Sequence, residues 1–402
     1  MDENYYASNA FENHEVINPH PVFNDSVNII FSSDANYIPY LSVTLQSLID
    51  NSSQDNNYDI IILSSGIFDY QKRFIVSQFN QRPNFSIRFL NMEQYIRQYG
   101  LDKFFTRPDM SMAAYYRLFA GKIFDNYQKI LYLDCDIVIN SDIAELAKID
   151  IKDYPIAACL DTGLANRIDA DDVPPTMKYY KEFAEYMRET LHFTDLNGYF
   201  NSGVMVINIP KFNETGLDRL LDLAKKNNKF FHDQNVLNVA FQHNYYQLPT
   251  TWNCQYHIKF HFKKYKKYLS VNDLSLYEEY DSQPNIVHYT SKSKPWKELN
   301  HSMSNFWWKY AIKTPFYPVI LKNYSKQQLL QQSFIINHIG YLRFQKVRFW
   351  LCKNLSRGRK RERYQAKYKA VKQLIRTARI FREKFWQNLL NDNFPDDMQS
   401  LI

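Results

Sequence analysis

The chain is 402 residues long and 45% hydrophobic, with 31 Tyr and 29 Phe but only nine Gly. A chain of this size and composition can bury a substantial core, and the composition excludes a low-complexity or fibrous protein. The net charge is +7, but 16 Lys and Arg against two Glu between Arg343 and Lys384 give this segment +14 and leave −7 for the rest. The charge therefore predicts a mildly acidic body followed by a strongly basic tail.

The four cysteines, Cys135, Cys159, Cys254 and Cys352, lie far apart in the sequence. This spacing is typical of neither a disulfide framework nor a structural zinc site, so we expect free thiols and a cytoplasmic protein. Residues 1–25 are polar, without the apolar core or basic start of a secretory signal, and no run of 18 apolar residues occurs. We expect these 25 residues to form a tail or a short packing arm, and no segment to span a bilayer.

Predicted strands and helices alternate over residues 26–312. The first strands are the apolar runs SVNIIF, YDIII, FSIRF and KILYLDCDIVIN, and the segments between them carry apolar residues at helical spacing. Further strands are predicted at YPIAACLD, GYFNSGVMVINI and NIVHYT, and a helix at FHDQNVLNVAF. Because nearly every strand position is apolar, the pattern predicts an α/β fold in which helices cover both faces of a mostly parallel sheet.

Acidic side chains follow several of the predicted strands. Asp34 ends the first strand, and Asp134 and Asp136 flank a single cysteine within the fourth. In parallel sheets, ligands bind at the carboxyl ends of the strands. A D-x-D pair supplies two hard oxygen ligands for a divalent cation that also holds a diphosphate. In the loop HYTSKSKPW, His288 offers a nitrogen ligand and Lys294 a point charge for phosphate oxygens.

Seven segments resemble, in order, the motifs of glycosyltransferase family eight, the retaining nucleotide-sugar transferases that include bacterial lipopolysaccharide galactosyl- and glucosyltransferases and glycogenin. They are IIFSSDANY, SMAAYYRL, LYLDCDIVI, ACLD, YFNSGVMVINIPKF, FHDQNVLN and HYTSKSKPW. The resemblance runs from Val27 to Trp308 and implies a nucleotide-sugar-binding fold of the glycosyltransferase A type over residues 26–312. The last segment departs from the family's H-x-x-G-x-x-K-P-W pattern, because Ser291 stands where the family usually has Gly.

The resemblance implies a role for each matching residue. The ligands of Mn²⁺ or Mg²⁺ would be Asp134, Asp136 and His288. The contacts to the UDP-hexose would be Ser32, Asp34, Asn36, Asn201, Ser202, Ser291 and Lys294. The residues at the reacting sugar would be Gln234, Asp233, Asp161 and Arg117. Gln234 would act either as a nucleophile or as a stabiliser of an oxocarbenium-like state. The implied reaction transfers glucose or galactose, with retained configuration, to a glycan or glycoprotein acceptor at the cell envelope.

Two alternatives remain open. An apolar strand ending in D-x-D also occurs in phosphatases of the haloacid dehalogenase type, where Asp134 would be the nucleophile and Asp136 the acid. That motif normally begins its domain, whereas three predicted strands precede it here, and DADD at 169–172 follows no strand. The second alternative is a non-catalytic scaffold that binds a sugar nucleotide, against which the intact metal and phosphate residues argue.

The basic tail, within residues 313–402, is predicted to be helical. Phe344, Val347, Leu351 and Leu355 recur at helical spacing among basic residues, and the segment YQAKYKAVKQLI repeats the pattern. Such helices suit the headgroup region of an anionic membrane, so we expect peripheral contact with its inner face. Alternatively, the stripes pack on each other or on the body. No nucleic-acid-binding module accompanies the charge, so we expect no nucleic-acid partner.

Overall fold

The computed structural model describes residues 14–104, 111–161, 178–194, 198–226, 232–255, 284–290, 293–298, 301, 303–337 and 339–390. Ser291, predicted at the phosphate, and the acidic segment at 169–172 lie outside these residues. The chain divides into two compact units, Met1–Ile320 and Leu321–Ile402. Every candidate site residue belongs to the first unit.

The strands of the first unit form two sheets. Their bounds are β1 Val27–Asp34, β2 Tyr58–Ser65, β3 Phe85–Asn91, β4 Lys129–Leu133, β5 Ile137–Ile139, β6 Ile156–Leu160, β7 Phe200–Asn208, β8 Tyr246–Gln247, β9 Cys254–Gln255 and β10 Ile286–His288. The larger sheet has the order β3-β2-β1-β4-β7-β6-β8, and the smaller has the order β5-β10-β9. In the larger sheet only β7 runs antiparallel to its neighbours, so the predicted mostly parallel α/β sheet is confirmed.

Helices flank the larger sheet. Their bounds are α1 Ile38–Asn51, α2 Asp69–Ser77, α3 Glu93–Tyr99, α4 Ala120–Ile123, α5 Ala144–Ala147, α6 Lys178–Glu189, α7 Ile209–Asn213, α8 Leu217–Lys226, α9 His232–Ala240 and α10 Ser304–Ala311. The predicted helix at MAAYYRLF is a 3₁₀ helix, Met112–Phe119, that continues into α4. Alternate side chains of β1 enter different cores because strand side chains alternate between faces: Phe31 joins one cluster with Leu45, and Ile30 joins another with Phe119.

The segment KILYLDCDIVIN is two strands rather than the single predicted one. Its first half is β4 in the larger sheet, and its second half is β5 in the smaller sheet, where it pairs with β10. The chain leaves the larger sheet at Asp134 and enters the smaller one after Asp136. The two carboxylates therefore lie at the junction of the two sheets, which is why an apolar run is interrupted there by charged residues.

The reversed direction of β7 also shapes the site. Because β7 is antiparallel to β4, its first residues lie beside the carboxyl end of β4, and the Asp134 amide donates to the Gly203 carbonyl at 2.8 Å. Asn201 and Ser202, at the start of β7, thus reach the same edge of the sheet as the acidic ends of the parallel strands.

The described part of the N-terminal 25 residues packs against the edge of the larger sheet. The Val16 amide donates to the Phe89 carbonyl at 2.9 Å, and the His14 ring contacts the Ile87 carbonyl at 2.7 Å. Glu15 forms an ion pair with Lys72 of α2. These contacts cover part of the exposed β3 edge, which would otherwise present unpaired backbone groups.

Three further helices follow, α11 Tyr317–Asn337, α12 Ile339–Asn354 and α13 Gly358–Leu390. In the second unit α12 packs against α13: the Phe349 ring stacks on Tyr364 with centroids 6.4 Å apart, and Lys353 lies over the Tyr368 ring. Tyr364 and Tyr368 of the segment YQAKYKAVKQLI therefore contact side chains of α12 that do not belong to the predicted Phe344, Val347, Leu351 and Leu355 stripe. Within the described residues, no helix combines the length and apolarity needed to cross a membrane.

The other predicted stripe of the tail remains uncovered. Four apolar side chains of α12, and Leu355 directly after it, are 46–84% exposed: Phe344, Val347, Trp350, Leu351 and Leu355. Arg343 and Arg348, on the same helix, are also exposed. The tail thus presents an apolar and basic surface, which we call the α12 stripe.

Candidate active site

Asp134, Asp136 and His288 form a compact cluster at the junction of the two sheets. One ligand atom from each of the three side chains lies within 4.8 Å of the other two. His288 Nε2 is 3.2 Å from Asp136 Oδ1 and 3.6 Å from Asp134 Oδ2. The small sheet creates this proximity, because His288 of β10 is paired with Ile137 of β5, directly after Asp136.

The two oxygens of each carboxylate face different partners. Asp134 Oδ1 accepts hydrogen bonds from Arg117 at 2.7 Å and from the Tyr132 hydroxyl at 3.1 Å, whereas Oδ2 faces His288. Asp136 Oδ2 accepts from Lys294 at 2.5 Å, whereas Oδ1 faces His288. Each carboxylate is thus held by one cation on its outer oxygen and directs the other oxygen inward.

These partners keep Asp136 charged. Burial opposes its ionisation, but Lys294 and His288 outweigh that effect and hold the pKa of Asp136 well below its ordinary value. Lys294 also donates to the Tyr289 carbonyl, so its ammonium is fixed beside the cluster.

The three inward atoms fit a divalent cation of the Mn²⁺ or Mg²⁺ type. Two carboxylate oxygens and one imidazole nitrogen are hard to borderline donors, which these ions accept. Bonds of about 2.1 Å to adjacent corners of an octahedron place neighbouring donors about 3 Å apart. The 3.2 and 3.6 Å separations from His288 are close to that value, so the distance from the imidazole nitrogen to each carboxylate suits shared coordination.

Arg117 connects the Asp134, Asp136 and His288 cluster to the predicted sugar-facing residues. It is buried, donates to Asp134 and to the Ser202 carbonyl at 2.6 Å, and lies 3.1 Å from Asp233 Oδ2. Burial alone would lower the pKa of Arg117, but Asp134 and Asp233 raise it above its ordinary value. Arg117 is therefore a permanent positive charge between two carboxylates.

The predicted sugar-facing residues share one hydrogen-bond network. Gln234 Nε2 donates to Asp161 Oδ2 at 3.0 Å, and Gln234 Oε1 accepts from the Ser202 amide at 3.2 Å. Asn201 Nδ2 donates to the same Asp161 oxygen at 3.1 Å. The Ser202 hydroxyl lies 3.4 Å from Asp233, which closes the connection to Arg117. Asp161, which directly follows β6, and residues of β7 and α9 thus form one network that Arg117 joins to the Asp134, Asp136 and His288 cluster.

The residues predicted at the nucleotide base lie at the end of β1. Asp34 Oδ1 accepts from the amides of Asn36 and Tyr37 at 2.9 and 3.1 Å, which fixes the turn into α1. Asn36 is exposed, and Ser32 Oγ is buried without a hydrogen-bond partner among the described residues. The structure places Ser32 and Asp34 at the carboxyl end of β1 and Asn36 in the turn that follows it.

Three residues at the site were not singled out from the sequence. A Cβ on Gly203 would lie 2.2 Å from His288 Cε1 and 2.6 Å from Asp134 Oδ2, so only glycine fits there. Burial and the nearby Asp136 raise the pKa of Tyr37 above its ordinary value. Asn253 hydrogen-bonds to His288. Of these, only Gly203 carried a sequence signal, as an isolated glycine inside an apolar strand.

Comparison with curated proteins gives relatives that are similar in sequence. The chain is 24% identical over 278 residues to general stress protein A of Bacillus subtilis, covering 67% of this chain and 87% of that protein. It is 27% identical over 297 residues to a lipopolysaccharide 1,2-glucosyltransferase of Escherichia coli, covering 70% of this chain and 75% of that protein.

Solved structures support the fold. The bifunctional glycosyltransferase WbbM superposes with a TM-score of 0.64 at 24% identity, covering 76% of this chain but only 52% of WbbM, so this chain matches about half of that protein. The galactosyltransferase LgtC, solved in complex with donor and acceptor sugar analogues, gives a TM-score of 0.56 at 19% identity, with coverages of 72% and 96%.

The family assignment rests on the sequence profile of glycosyl transferase family 8, which matches residues 28–300. This range contains both sheets, the Asp134, Asp136 and His288 cluster and the network around Asp161 and Gln234. The resemblance inferred from the motifs is confirmed, and the chain belongs to glycosyl transferase family 8.

Proposed function

We propose that this protein is a metal-dependent retaining glycosyltransferase that moves glucose or galactose from a UDP-sugar to a glycan or glycoprotein acceptor of the cell envelope. The observation that carries the proposal is that the two oxygens of each aspartate have different partners. Arg117 binds the outer oxygen of Asp134, Lys294 binds the outer oxygen of Asp136, and both inner oxygens face His288. Ion pairs that only stabilise the fold do not require ligand atoms from three side chains to point to one place.

Asp134, Asp136 and His288 would hold Mn²⁺ or Mg²⁺, which neutralises negative charge on the departing diphosphate. Lys294 would bind the diphosphate as a point charge, since its ammonium already lies beside Asp136. Asp34 and Asn36 would contact the uracil ring and ribose at the end of β1, beside Ser32.

Gln234 would stabilise the reacting sugar rather than attack it. Its Oε1 accepts a hydrogen bond from the Ser202 amide, and its Nε2 donates to Asp161, so the side chain is anchored at both ends. A carboxamide oxygen is also a poor nucleophile compared with a carboxylate. The acceptor hydroxyl would then attack from the side of the leaving group, whose phosphate oxygen takes the proton, and configuration is retained.

We therefore expect Gln234→Ala to retain measurable turnover, with a loss on the order of 10²-fold, the size typical for removing one stabilising polar group. Gln234→Asn, which keeps a shortened amide, should lose less. Steady-state UDP release measures both variants, and mass spectrometry of the quenched enzyme would reveal a covalent sugar. A glycosyl adduct on Gln234, or complete inactivity of Gln234→Ala in a folded protein, would contradict the stabiliser role.

The choice of hexose draws on the names of relatives, one a glucosyltransferase acting on lipopolysaccharide and one a galactosyltransferase. The proposal is tested by UDP, GDP or CMP release from a panel of sugar nucleotides with Mn²⁺, Mg²⁺ or EDTA. We expect release from UDP-glucose or UDP-galactose only with metal. Metal-independent release, or a preference for GDP- or CMP-sugars, would contradict the proposal. UDP binding without turnover on any acceptor would favour the scaffold alternative.

The α12 stripe would bring the enzyme to an anionic lipid surface. Phe344, Trp350 and Leu355 supply exposed apolar groups, and the segment from Arg343 to Lys384 carries a charge of +14. Each Lys or Arg near anionic lipid contributes about 1 kcal/mol, so several together suffice for reversible binding. The proposed envelope acceptor follows from the name of a lipopolysaccharide-modifying relative. The proposed lipid contact follows from the exposed apolar and basic residues of the α12 stripe.

A truncation ending at Leu330 should remain active on soluble acceptors but lose co-sedimentation with phosphatidylserine vesicles at low salt. The double variant Phe344→Ser with Leu355→Ser should weaken sedimentation while keeping the basic charge. Ile17→Ser provides a matched control, because Ile17 is an equally exposed apolar residue outside the tail. Unchanged vesicle binding by the truncation, or no binding by the full chain, would rule out the lipid contact.

A further inference from the structure

A chain of buried side-chain amides links the network at Asp161 to the metal-binding face of His288. Asn201 donates to Asp161 at 3.1 Å, Asn253 donates to Asn201 Oδ1 at 2.9 Å, and Asn253 Oδ1 lies 2.8 Å from His288 Nδ1. Asn253 and His288 are almost completely buried. Gln234 joins the same Asp161 oxygen, so the chain reaches from the predicted sugar subsite to the cluster.

In this series of hydrogen bonds, the groups at Asp161 and Gly203 determine which atom donates and which accepts at each step. A carboxylate such as that of Asp161 only accepts, so Asn201 must present its NH₂ group there. The Gly203 backbone amide only donates, and it lies 3.0 Å from the other Asn201 atom, which must therefore be the oxygen. Asn253 consequently presents its NH₂ to Asn201 and its oxygen to His288. His288 Nδ1 must carry a proton and donate it.

This direction has a chemical consequence for the cluster. With the proton of His288 held on Nδ1, the opposite nitrogen, Nε2, is the one that offers a lone pair to a metal ion. Nε2 is also the atom that faces Asp134 and Asp136. The hydrogen bond from Nδ1 to Asn253 therefore leaves the lone pair of His288 on Nε2, the atom that faces the two carboxylates.

The small sheet holds Asn253 in place. Asn253 ends a short 3₁₀ helix, Thr250–Asn253, and the next residue begins β9. β9 pairs with β10 on one side and β5 pairs with it on the other, so the strand that carries His288 lies between the segments that follow Asn253 and Asp136. The ring of His288 thus has the Asn253 amide at Nδ1 and the carboxylates of Asp134 and Asp136 at Nε2.

We propose that Asn253 is a positioning residue that fixes the protonation pattern and ring orientation of His288 for metal binding. The inference rests on the proposed metal site. Asn253 is assigned no contact with the donor or the acceptor sugar. It acts on the metal through His288, and its hydrogen bond to Asn201 connects this ligand to the residues around Asp161.

Co²⁺ alone, without nucleotide, is the probe. Visible absorption titrations give its affinity for the purified full-length chain. We expect Asn253→Leu, which preserves volume but removes the acceptor, to weaken Co²⁺ binding by about 10- to 100-fold, as expected for an outer partner of a metal-binding histidine. Asn253→Asp keeps an acceptor at His288 Nδ1 but loses the donor to Asn201, so it should lose clearly less Co²⁺ affinity than Asn253→Leu.

A spectroscopic signal separates positioning from simple packing. In the Co²⁺ form, the His288 Nδ1 proton should give a hyperfine-shifted proton resonance that is present in H₂O, absent in D₂O, and missing in a His288→Gln control. The Asn253 bond should protect this proton, so the resonance should broaden or vanish in Asn253→Leu and persist in Asn253→Asp.

Asn238→Leu is the matched stability control. Asn238 is as buried as Asn253, and its side chain makes three hydrogen bonds to backbone groups of Phe200 and Gln234, which the substitution removes. It does not take part in the hydrogen bonds that join Asp161, Asn201, Asn253 and His288. It should lower thermal stability without changing Co²⁺ affinity. Unchanged affinity in Asn253→Leu, or an equal loss in Asn253→Leu and Asn253→Asp, would overturn the positioning role. Absence of Co²⁺ binding by the wild type would overturn the metal site, the proposed function and this inference together.

Discussion

Asp136→Ala should abolish metal-dependent turnover while the protein remains folded. The substitution removes the inward oxygen that faces His288 and the outer oxygen that holds Lys294. Metal stabilisation of a leaving diphosphate contributes several kcal/mol, and each 1.36 kcal/mol is tenfold in rate, so a loss of about 10³-fold or more is expected. Asp134→Asn should be similarly severe, because it also weakens the contact to Arg117.

Asp59→Asn is the matched control for this prediction. Asp59 is a buried carboxylate that pairs with a cation, Arg88, at 2.7 Å, and it lies at the opposite end of β2 from the site. Its loss should reduce stability without altering the metal dependence of turnover. UDP release from a UDP-hexose, normalised to folded protein by circular dichroism, compares the variants. Near-normal activity of Asp136→Ala, or of the wild type after EDTA treatment, would refute the metal-dependent mechanism.

Gly203→Ala should have the second large effect, although it adds only a methyl group. That group would lie 2.2 Å from His288 and 2.6 Å from Asp134, so at least one metal ligand must move. A displacement of about 1 Å near the reacting groups can cost 10²-fold in rate, and the metal affinity should fall in parallel. Isothermal titration with Mn²⁺ and steady-state UDP release measure the two losses separately.

Gly121→Ala tests whether crowding alone explains such losses. A Cβ there would lie 1.9 Å from Asn213 Oδ1, in a contact between α4 and α7 that is remote from the cluster. We expect lower thermal stability but wild-type Mn²⁺ affinity. If Gly203→Ala kept its Mn²⁺ affinity while Gly121→Ala behaved as expected, the close packing around His288 would not be needed for the metal site.

The sequence predicts the parts of the site that follow from strand periodicity. Asp34, Asp134 and Asp136 could be located because apolar strands end beside them, and parallel strands bring their carboxyl ends to one edge. The direction of β7 could not be predicted, because a fully buried strand has the same apolar pattern in either orientation. The split of KILYLDCDIVIN was missed for a related reason, since both halves are buried strands that pair in different sheets.

Asn253 illustrates why the rest of the site is hidden in the sequence. It lies in a short 3₁₀ turn without periodic pattern, and its partner His288 is 35 positions away.

The packing of the tail could not be predicted from the sequence either. The stripes on α12 and α13 both have helical spacing, yet the stripe at Tyr364 packs on Phe349 while Phe344 remains exposed. Which face finds a partner is decided by tertiary packing, which spacing alone does not encode.

The most direct measurement is a crystal structure of the protein soaked with Mn²⁺ and UDP, with anomalous data collected at the manganese edge. We expect one strong anomalous peak bound by Asp134, Asp136 and His288 and shared with the diphosphate, with Lys294 on a phosphate oxygen. A diphosphate bound without manganese at these three residues, or manganese bound elsewhere, would contradict it.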